Sequence, residues 1–231
     1  MALKTFFLPI AQDAKTVSFD AEESKHIAKV LRLQTQDKIL LLNGEGVRFQ
    51  ATLTLVSPKK VEADIAYAEK LEPNKNHRIH LAIAPTKNTD RTEWLVEKAT
   101  ELGVYALHFF HSERTEKTHL RMDRLQRIMQ AAIKQSLNPF APKMEAPCPL
   151  LDIMQLPFKQ KYLAYCEDKP KIALSDAVQK MGDILILIGP EGDFSPKEIA
   201  EAQRQNCTLV HLGENRLRTE TAALYALCLS I

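Results

Sequence analysis

The chain has 231 residues, 45% of them hydrophobic and 26% charged, which suits one large globular domain or two small ones and excludes a disordered or collagen-like chain. Its 31 basic and 29 acidic residues leave a net charge of +2, so it is no polycation that coats nucleic acid by bulk charge, although a local basic face stays open. The four cysteines (Cys148, Cys166, Cys207, Cys228) form no CxxC pair and read as reduced, buried thiols, and no metal site is expected.

The opening residues do not read as a signal peptide, because Lys4 and Pro9 interrupt the apolar stretch and no small-residue cleavage site follows. The most apolar run, 184–188, is far shorter than the ~20 residues a membrane helix needs. The expected compartment is therefore the cytoplasm, with no membrane partner.

Residues 1–72 read as a small β-rich domain of short strands around one helix. Phe6, Phe7 and Leu8 suggest the first strand. Asp20 with Glu23 resembles a capping box that opens a helix carrying Ile27, Val30 and Leu31. A β run at 38–42, a turn at 43–46 and partial period-two alternation over 47–56 follow hairpin logic. The polar stretch 72–77, interrupted by Pro73 and two asparagines, is the candidate linker, so the second domain spans 73–231. There the spacing predicts strands at 79–84, 104–110, 162–166, 184–188 and 208–212. It predicts helices at 90–102, 122–137, 196–205 and 219–231, the first carrying Trp94, Leu95, Lys98, Ala99 and Leu102 at helical spacing before Gly103. Strands alternating with helices imply an α/β fold, a parallel sheet covered on both faces.

Two segments join a buried strand to a helix and hold three of the seven glycines: Gly189-Pro190-Glu191-Gly192, and 212–222 with Leu212, Gly213, Leu217 and Arg218. In open α/β sheets, ligands bind at the carboxyl ends of strands. In the first, Ser195 is an N-cap, Pro196 the first helical residue and Glu198 the partner of a capping box. Glycines there let the backbone approach a ligand, although an ordinary strand–helix turn has the same composition. In the second, Arg216 and Arg218 precede Thr219, a candidate N-cap, and form either an anion-friendly pocket or a solvated turn. P-loop, GxGxxG, HExxH and GxSxG patterns do not occur.

A basic stretch runs from Arg114 through Lys117, Arg121, Arg124, Arg127 and Lys134 to Lys143. Leu125, Ile128, Met129, Ala132 and Ile133 form the buried stripe of its helix and leave the arginines outside, as a solvated or a phosphate-contacting face. His80 and His211 read as core residues of strands. His26, near Lys25, Lys29 and Arg32, could touch RNA.

Gly189-Pro190-Glu191-Gly192, followed by Leu212, Gly213, Leu217, Arg218, Glu220, Thr221 and Ala222, resembles the signature of the RsmE family, ribosomal RNA small-subunit uracil-N3 methyltransferases of the SPOUT superfamily. His26, Val30, Leu31 and Arg32 resemble the family's N-terminal helix. Lys87, Lys98, Glu101, Leu102 and Gly103 resemble the first helix of its second domain, and Ser112-Glu113-Arg114 the strand end that follows. The chain departs from the pattern at Lys134, at 138–140 and at 35–37, where a glycine is usual.

The resemblance implies a PUA-like β-barrel domain followed by a SPOUT-type parallel sheet with a C-terminal trefoil knot. It also implies a homodimer, S-adenosyl-L-methionine as cofactor, and ribosomal RNA of the small subunit as partner. Carried onto this chain, it places the cofactor at Gly189, Pro190, Glu191, Gly192, Leu212, Gly213, Leu217, Arg218, Thr221 and Ala222. Arg218 and Glu220 become the catalytic candidates, and His26, Arg32, Arg114, Arg121 and Arg124 the RNA contacts. The expected reaction is methylation of N3 of a uridine in 16S RNA. Another RNA position, a ribose 2'-hydroxyl, or a non-catalytic RNA-binding role remain the alternatives.

Overall fold

A computed structural model describes residues 3–74, 76–116, 119–166 and 171–231. Lys75 of the expected linker and Lys117 of the basic stretch lie outside the described residues. The chain forms two compact units, Met1–Pro73 with Ile133–Ala141, and Asn74–Ala132 with Pro142–Ile231.

In the first unit, β1 (Lys4–Phe7), β2 (Thr16–Ser18), α1 (Ala21–Lys25), a π-helical turn (His26–Val30), β3 (Lys38–Leu42), β4 (Val47–Val56) and β5 (Val61–Lys70) follow in chain order. They build one sheet in the order β1-β3-β4-β5-β2, in which only β1 and β3 run parallel. Asp20 caps α1 by accepting the Glu23 N–H at 2.8 Å, as its carboxylate should. Every second residue of β3, β4 and β5 points inward: Ile39 and Leu41, then Val47, Phe49, Ala51 and Leu53, then Val61 and Ala63. Phe6 meets Phe19 edge-on at 5.4 Å, which brings the two edges of the sheet onto one core.

The turn 43–46 is glycine-rich for a tertiary reason. Gly46 has φ +90° and donates to Pro139 O at 2.9 Å, and a Cβ there would collide with the Phe140 ring. Ala141 N in turn donates to Gly44 O at 2.8 Å. Asn43, buried, organises the turn by accepting the N–H groups of Glu45 (2.9 Å) and Val47 (3.0 Å).

The second unit contains β6 (His77–Ile83), α2 (Thr89–Glu101), β7 (Ala106–His111), most of α3 (Met122–Ser136), β8 (Lys143–Met144), β9 (Cys148–Pro149), α4 (Leu150–Met154) and β10 (Gln160–Ala164). It continues with β11 (Ile172–Ala173), α5 (Leu174–Ala177), β12 (Gly182–Ile188), α6 (Pro196–Arg204), β13 (Thr208–His211) and α7 (Thr219–Ser230). The strand order is β11-β13-β10-β12-β6-β7-β8, with β9 also on β7, and the pairs are parallel. Ile184, Leu185, Ile186 and Leu187 are all fully buried, as a central strand covered on both faces requires. Leu185 and Leu187 pack with Leu150 and Ile153 of α4 and Ile199 of α6, whereas α7 packs on β6 and β12 from the other side and carries α2 against it.

Some expectations need correction. The thiols are not uniformly buried: Cys207 is, Cys148 is half-buried, and Cys166 and Cys228 are exposed because they sit at a strand end and on the outer side of α7. His80 is only half-buried, its ring set between His108, Tyr105 and Phe158. Trp94 and Leu102 share helical spacing with buried α2 residues yet remain 44% and 38% exposed. No helix among the described residues is long and apolar enough to cross a membrane.

Candidate active site

Strands β12 and β13 lie on either side of β10, so the segments that leave their carboxyl ends converge over the end of β10. Together they enclose a cavity of about 710 Å³. Gly189, Pro190, Glu191, Gly192, Leu212, Gly213, Leu217, Arg218 and Ala222 all line it. Thr221 and Glu220 do not: Thr221 points outward on α7, and Glu220 is buried in its first turn.

The 189–195 loop is held from several directions. Glu191 accepts the Lys87 N–H at 3.0 Å, and Asp193 accepts the Cys166 N–H at 3.0 Å. The Arg114 guanidinium donates to Gly192 O at 2.7 Å. Asp193 N closes a turn onto Pro190 O at 2.9 Å, and Asp193 itself sits at φ +60°. Phe194 is fully buried in the core, and the expected Ser195–Glu198 capping box starts α6 behind Pro196.

The 212–218 loop is different. Gly213, at φ +109°, donates to His211 Nδ1 at 3.2 Å. Among the described residues, the side chains of 214–218 make no hydrogen bond or ion pair, and all but the half-buried Leu217 are exposed. Thr219 is not the N-cap of α7. Arg218, extended at φ −69° and ψ 152°, holds that position without a side-chain bond, and Thr219 is the first helical residue. Glu220 Oε1 pairs with Arg91 Nε of α2 at 3.6 Å, while Oε2 is buried with no hydrogen-bond partner among the described residues.

Sequence reasoning missed the end of β10. Tyr165 and Cys166 line the cavity, as do Asp193, His211, Glu214, Asn215 and Arg216. The 162–166 run was legible as a strand, but its place between the two loops is a matter of sheet order. His211, read as a core residue, is half-buried and faces the cavity. Arg114, singled out for RNA, lies on the rim. Arg121, just before α3, and Arg124 on it are exposed, and Glu93 grips the Arg124 guanidinium through Nε and through Nη2 at 2.7 Å. That guanidinium holds the Glu93 carboxyl below the usual carboxylate range. His26 and Arg32 are exposed on the first unit, Arg32 at φ +54° where the π-helical turn ends.

The lining joins apolar walls (Ile188, Leu212, Leu217) with three arginines (Arg114, Arg216, Arg218) and three carboxylates (Glu191, Asp193, Glu214). Such a set suits a ligand with an apolar or aromatic body and charges of both signs.

Comparison with known proteins agrees with this arrangement. Residues 72–230 match the RNA methyltransferase domain family, and residues 19–66 match the RNA methyltransferase PUA domain family. The fold and site thus define an RNA methyltransferase with a PUA-like N-terminal domain. A ribosomal RNA small subunit methyltransferase E from Bacillus subtilis is 30% identical, over 94% of this chain and 90% of its own. The Neisseria gonorrhoeae ribosomal RNA small subunit methyltransferase E, solved bound to S-adenosyl methionine, superposes with a TM-score of 0.87 at 28% identity, covering 98% of this chain and 96% of that one. A Porphyromonas gingivalis structure, solved as a probable rRNA-methyltransferase, superposes with a TM-score of 0.89 at 35% identity, covering 98% and 96%. The chain belongs to the ribosomal RNA small subunit methyltransferase E family.

Proposed function

We propose that this chain is an S-adenosylmethionine-dependent methyltransferase of small-subunit ribosomal RNA that methylates N3 of a uridine in 16S RNA, acting as a homodimer in the cytoplasm. The observation that carries this reading is the convergence of the 189–192 and 212–218 loops on one cavity with Arg218 in its wall, in a chain of this family. Residues 1–72 act as the PUA-like RNA-binding domain and 73–231 as the methyltransferase domain.

The cavity fits the cofactor. Its volume of about 710 Å³ lies in the ordinary range of small-molecule sites. Backbone groups of 189–192 and 212–217 can line the cofactor's flat parts, Glu214 can balance a cationic group and Arg216 a carboxylate. When bound, S-adenosylmethionine supplies a methyl group on a sulfonium.

Uracil N3 carries a proton on the Watson–Crick edge, so the base must be unpaired or flipped to react. With the cofactor bound, N3 would give up its proton to solvent water and take the methyl group, and the sulfur would keep the bonding pair as a neutral thioether. Arg218 stays protonated and so cannot be the base. Its guanidinium stabilises negative charge growing on O2 or O4 of the base. Glu220 lies outside the cavity wall, which supports an anchoring role through Arg91 for the first turn of α7. Arg114, Arg121, His26 and Arg32 hold RNA phosphates, with Arg124 oriented by Glu93.

The topology supports a knot. Beyond β10 the chain runs outside β13 as β11, then returns through α5 to β12 on the inner side. The segment leaving β13 then packs as α7 on β6, β12 and α5, next to that excursion. The dimer reading rests on α7, whose exposed side presents Thr221, Tyr225 and Cys228 and carries no charged residue from 221 to 231.

The test is methyl transfer from labelled cofactor to assembled small subunits, followed by nucleoside analysis. 3-Methyluridine is expected. A 2'-O-methyl nucleoside would overturn the base assignment, and absence of cofactor binding by calorimetry would leave an RNA-binding factor.

A further inference from the structure

Glu198 does more than a helix cap requires. In the cap, its Oε2 accepts the Ser195 N–H at 2.8 Å while its own N–H reaches Ser195 Oγ at 3.3 Å. Its other oxygen, Oε1, accepts the N–H of Glu113 at 2.7 Å, from a turn 85 residues away in the chain. That turn closes on itself through Ser112 N–H to Thr115 Oγ1 at 2.9 Å and Thr115 N–H to Ser112 O at 3.1 Å. The next residue, Arg114, reaches back to the same loop. Its guanidinium Nη1 donates to Gly192 O at 2.7 Å, and its stem lies so close that a Cβ on Gly192 would sit 3.3 Å from Arg114 Cβ. The turn is therefore pinned at two points, Gly192 in the cavity wall and Glu198 in the first turn of α6, the helix that follows it.

We propose that Glu198 is a positioning residue that sets Arg114 on the cavity rim for the RNA substrate, so that the loop lining the cofactor also places the arginine that meets the nucleic acid. The proposal rests on the methyltransferase reading of the cavity. Its chemistry is specific. Two backbone N–H donors converge on one side chain, and a carboxylate offers an acceptor to each. Glutamine offers one oxygen and one NH2, so it can keep the cap or the tether but not both. With Nη1 committed to Gly192, the remaining guanidinium N–H groups face outward for a phosphate.

The experiment compares wild type, Glu198→Gln, Arg114→Ala and the double variant in methyl transfer to small subunits. Cofactor affinity is followed by calorimetry, subunit affinity by filter binding and folding by thermal melting. Glu198→Gln should raise the RNA KM about tenfold with kcat and cofactor Kd within about twofold, the size expected for one lost charge-assisted hydrogen bond. The double variant should be no worse than Arg114→Ala alone, because Glu198 acts through that arginine. Additive losses, an unchanged RNA KM, or a loss confined to cofactor affinity would each overturn the proposal. A wild-type protein that binds subunits but transfers no methyl would end the catalytic reading instead, and the same non-additivity would still be read from subunit binding.

Discussion

The two loops that wall the cavity share a position at strand ends but not a construction. The 189–195 loop is tied by Glu191, Asp193, Gly192 O and the Ser195–Glu198 cap to three other stretches of chain, and it plants Phe194 in the core. The 212–218 loop carries more charge and almost no ties: its arginines and Glu214 are exposed, and Gly213 has open space where a side chain would be. A ligand slot benefits from both. In the proposed mechanism the tied loop is built before the ligand arrives, and the loose one closes on it and brings Arg218 to the base, at the cost of ordering it then.

This contrast can be broken most sharply at Arg218. Arg218→Ala should lower kcat for methyl transfer about 100- to 1,000-fold, the range for loss of one group aimed at developing charge. Cofactor Kd should move less than about threefold and the melting temperature hardly at all, since the side chain has no hydrogen-bond or ion-pair partner among the described residues. Equal losses in turnover and cofactor affinity would mean the arginine holds the cofactor instead.

Gly189→Ala tests the tied loop. The new Cβ would lie 3.0 Å from the ring of Phe194, which is fully buried, so the ring or the loop must shift. A stability loss of about 1–3 kcal/mol by denaturant titration is expected, with weaker cofactor binding beside it. A neutral substitution would show that this loop is as loose as the other.

His80 on β6 supplies a control outside both loops. Burial first, then the neighbouring His108, and to a smaller extent Arg78 and Lys143, push its pKa down from 6.5 to about 4 against the opposing pull of Asp183. Below pH 6.5 the unfolded chain takes up a proton that the folded chain refuses, so this stability is complete above pH 6.5 and is lost as pH falls towards 4. With the residue only partly buried, the loss at pH 5 is on the order of 1 kcal/mol. In His80→Asn, melting temperatures measured between pH 7 and pH 5 should fall less steeply than in wild type. An unchanged slope would place the acid sensitivity elsewhere.

The smallest effect is expected at Gly213. Alanine there meets no atom within 4 Å but inherits φ +109°. The strain, about 1 kcal/mol, can relax by moving an untied loop, so stability should barely change while cofactor affinity falls a few-fold. A large drop in melting temperature would show that the loop is rigid after all.

Much of this was legible along the chain. The strand at 184–188 shows as a continuous β-branched and leucine run, and Ser195, Pro196 and Glu198 spell a helix start that the structure reproduces bond for bond. Two-residue strands such as β8, β9 and β11 escaped because so short a run has no periodicity to detect. All of β5 escaped, because only Val61 and Ala63 of it are buried and charged residues and alanines make up most of the rest. Glu220 stands two residues after Arg218, yet that step into the helix, about 200° of rotation, turns it out of the cavity and onto Arg91.

The sequence by itself determined the longer helices, most of the longer strands and the Asp20 and Ser195 caps, because each depends on residues within a turn or two of one another. Only the tertiary structure decided that β10 stands between β12 and β13, that Tyr165 and Cys166 join the cavity, and that Arg114 reaches Gly192. Those facts rest on partners tens of residues apart, chosen by which strands share hydrogen bonds and which faces share a core, and no local pattern encodes that choice.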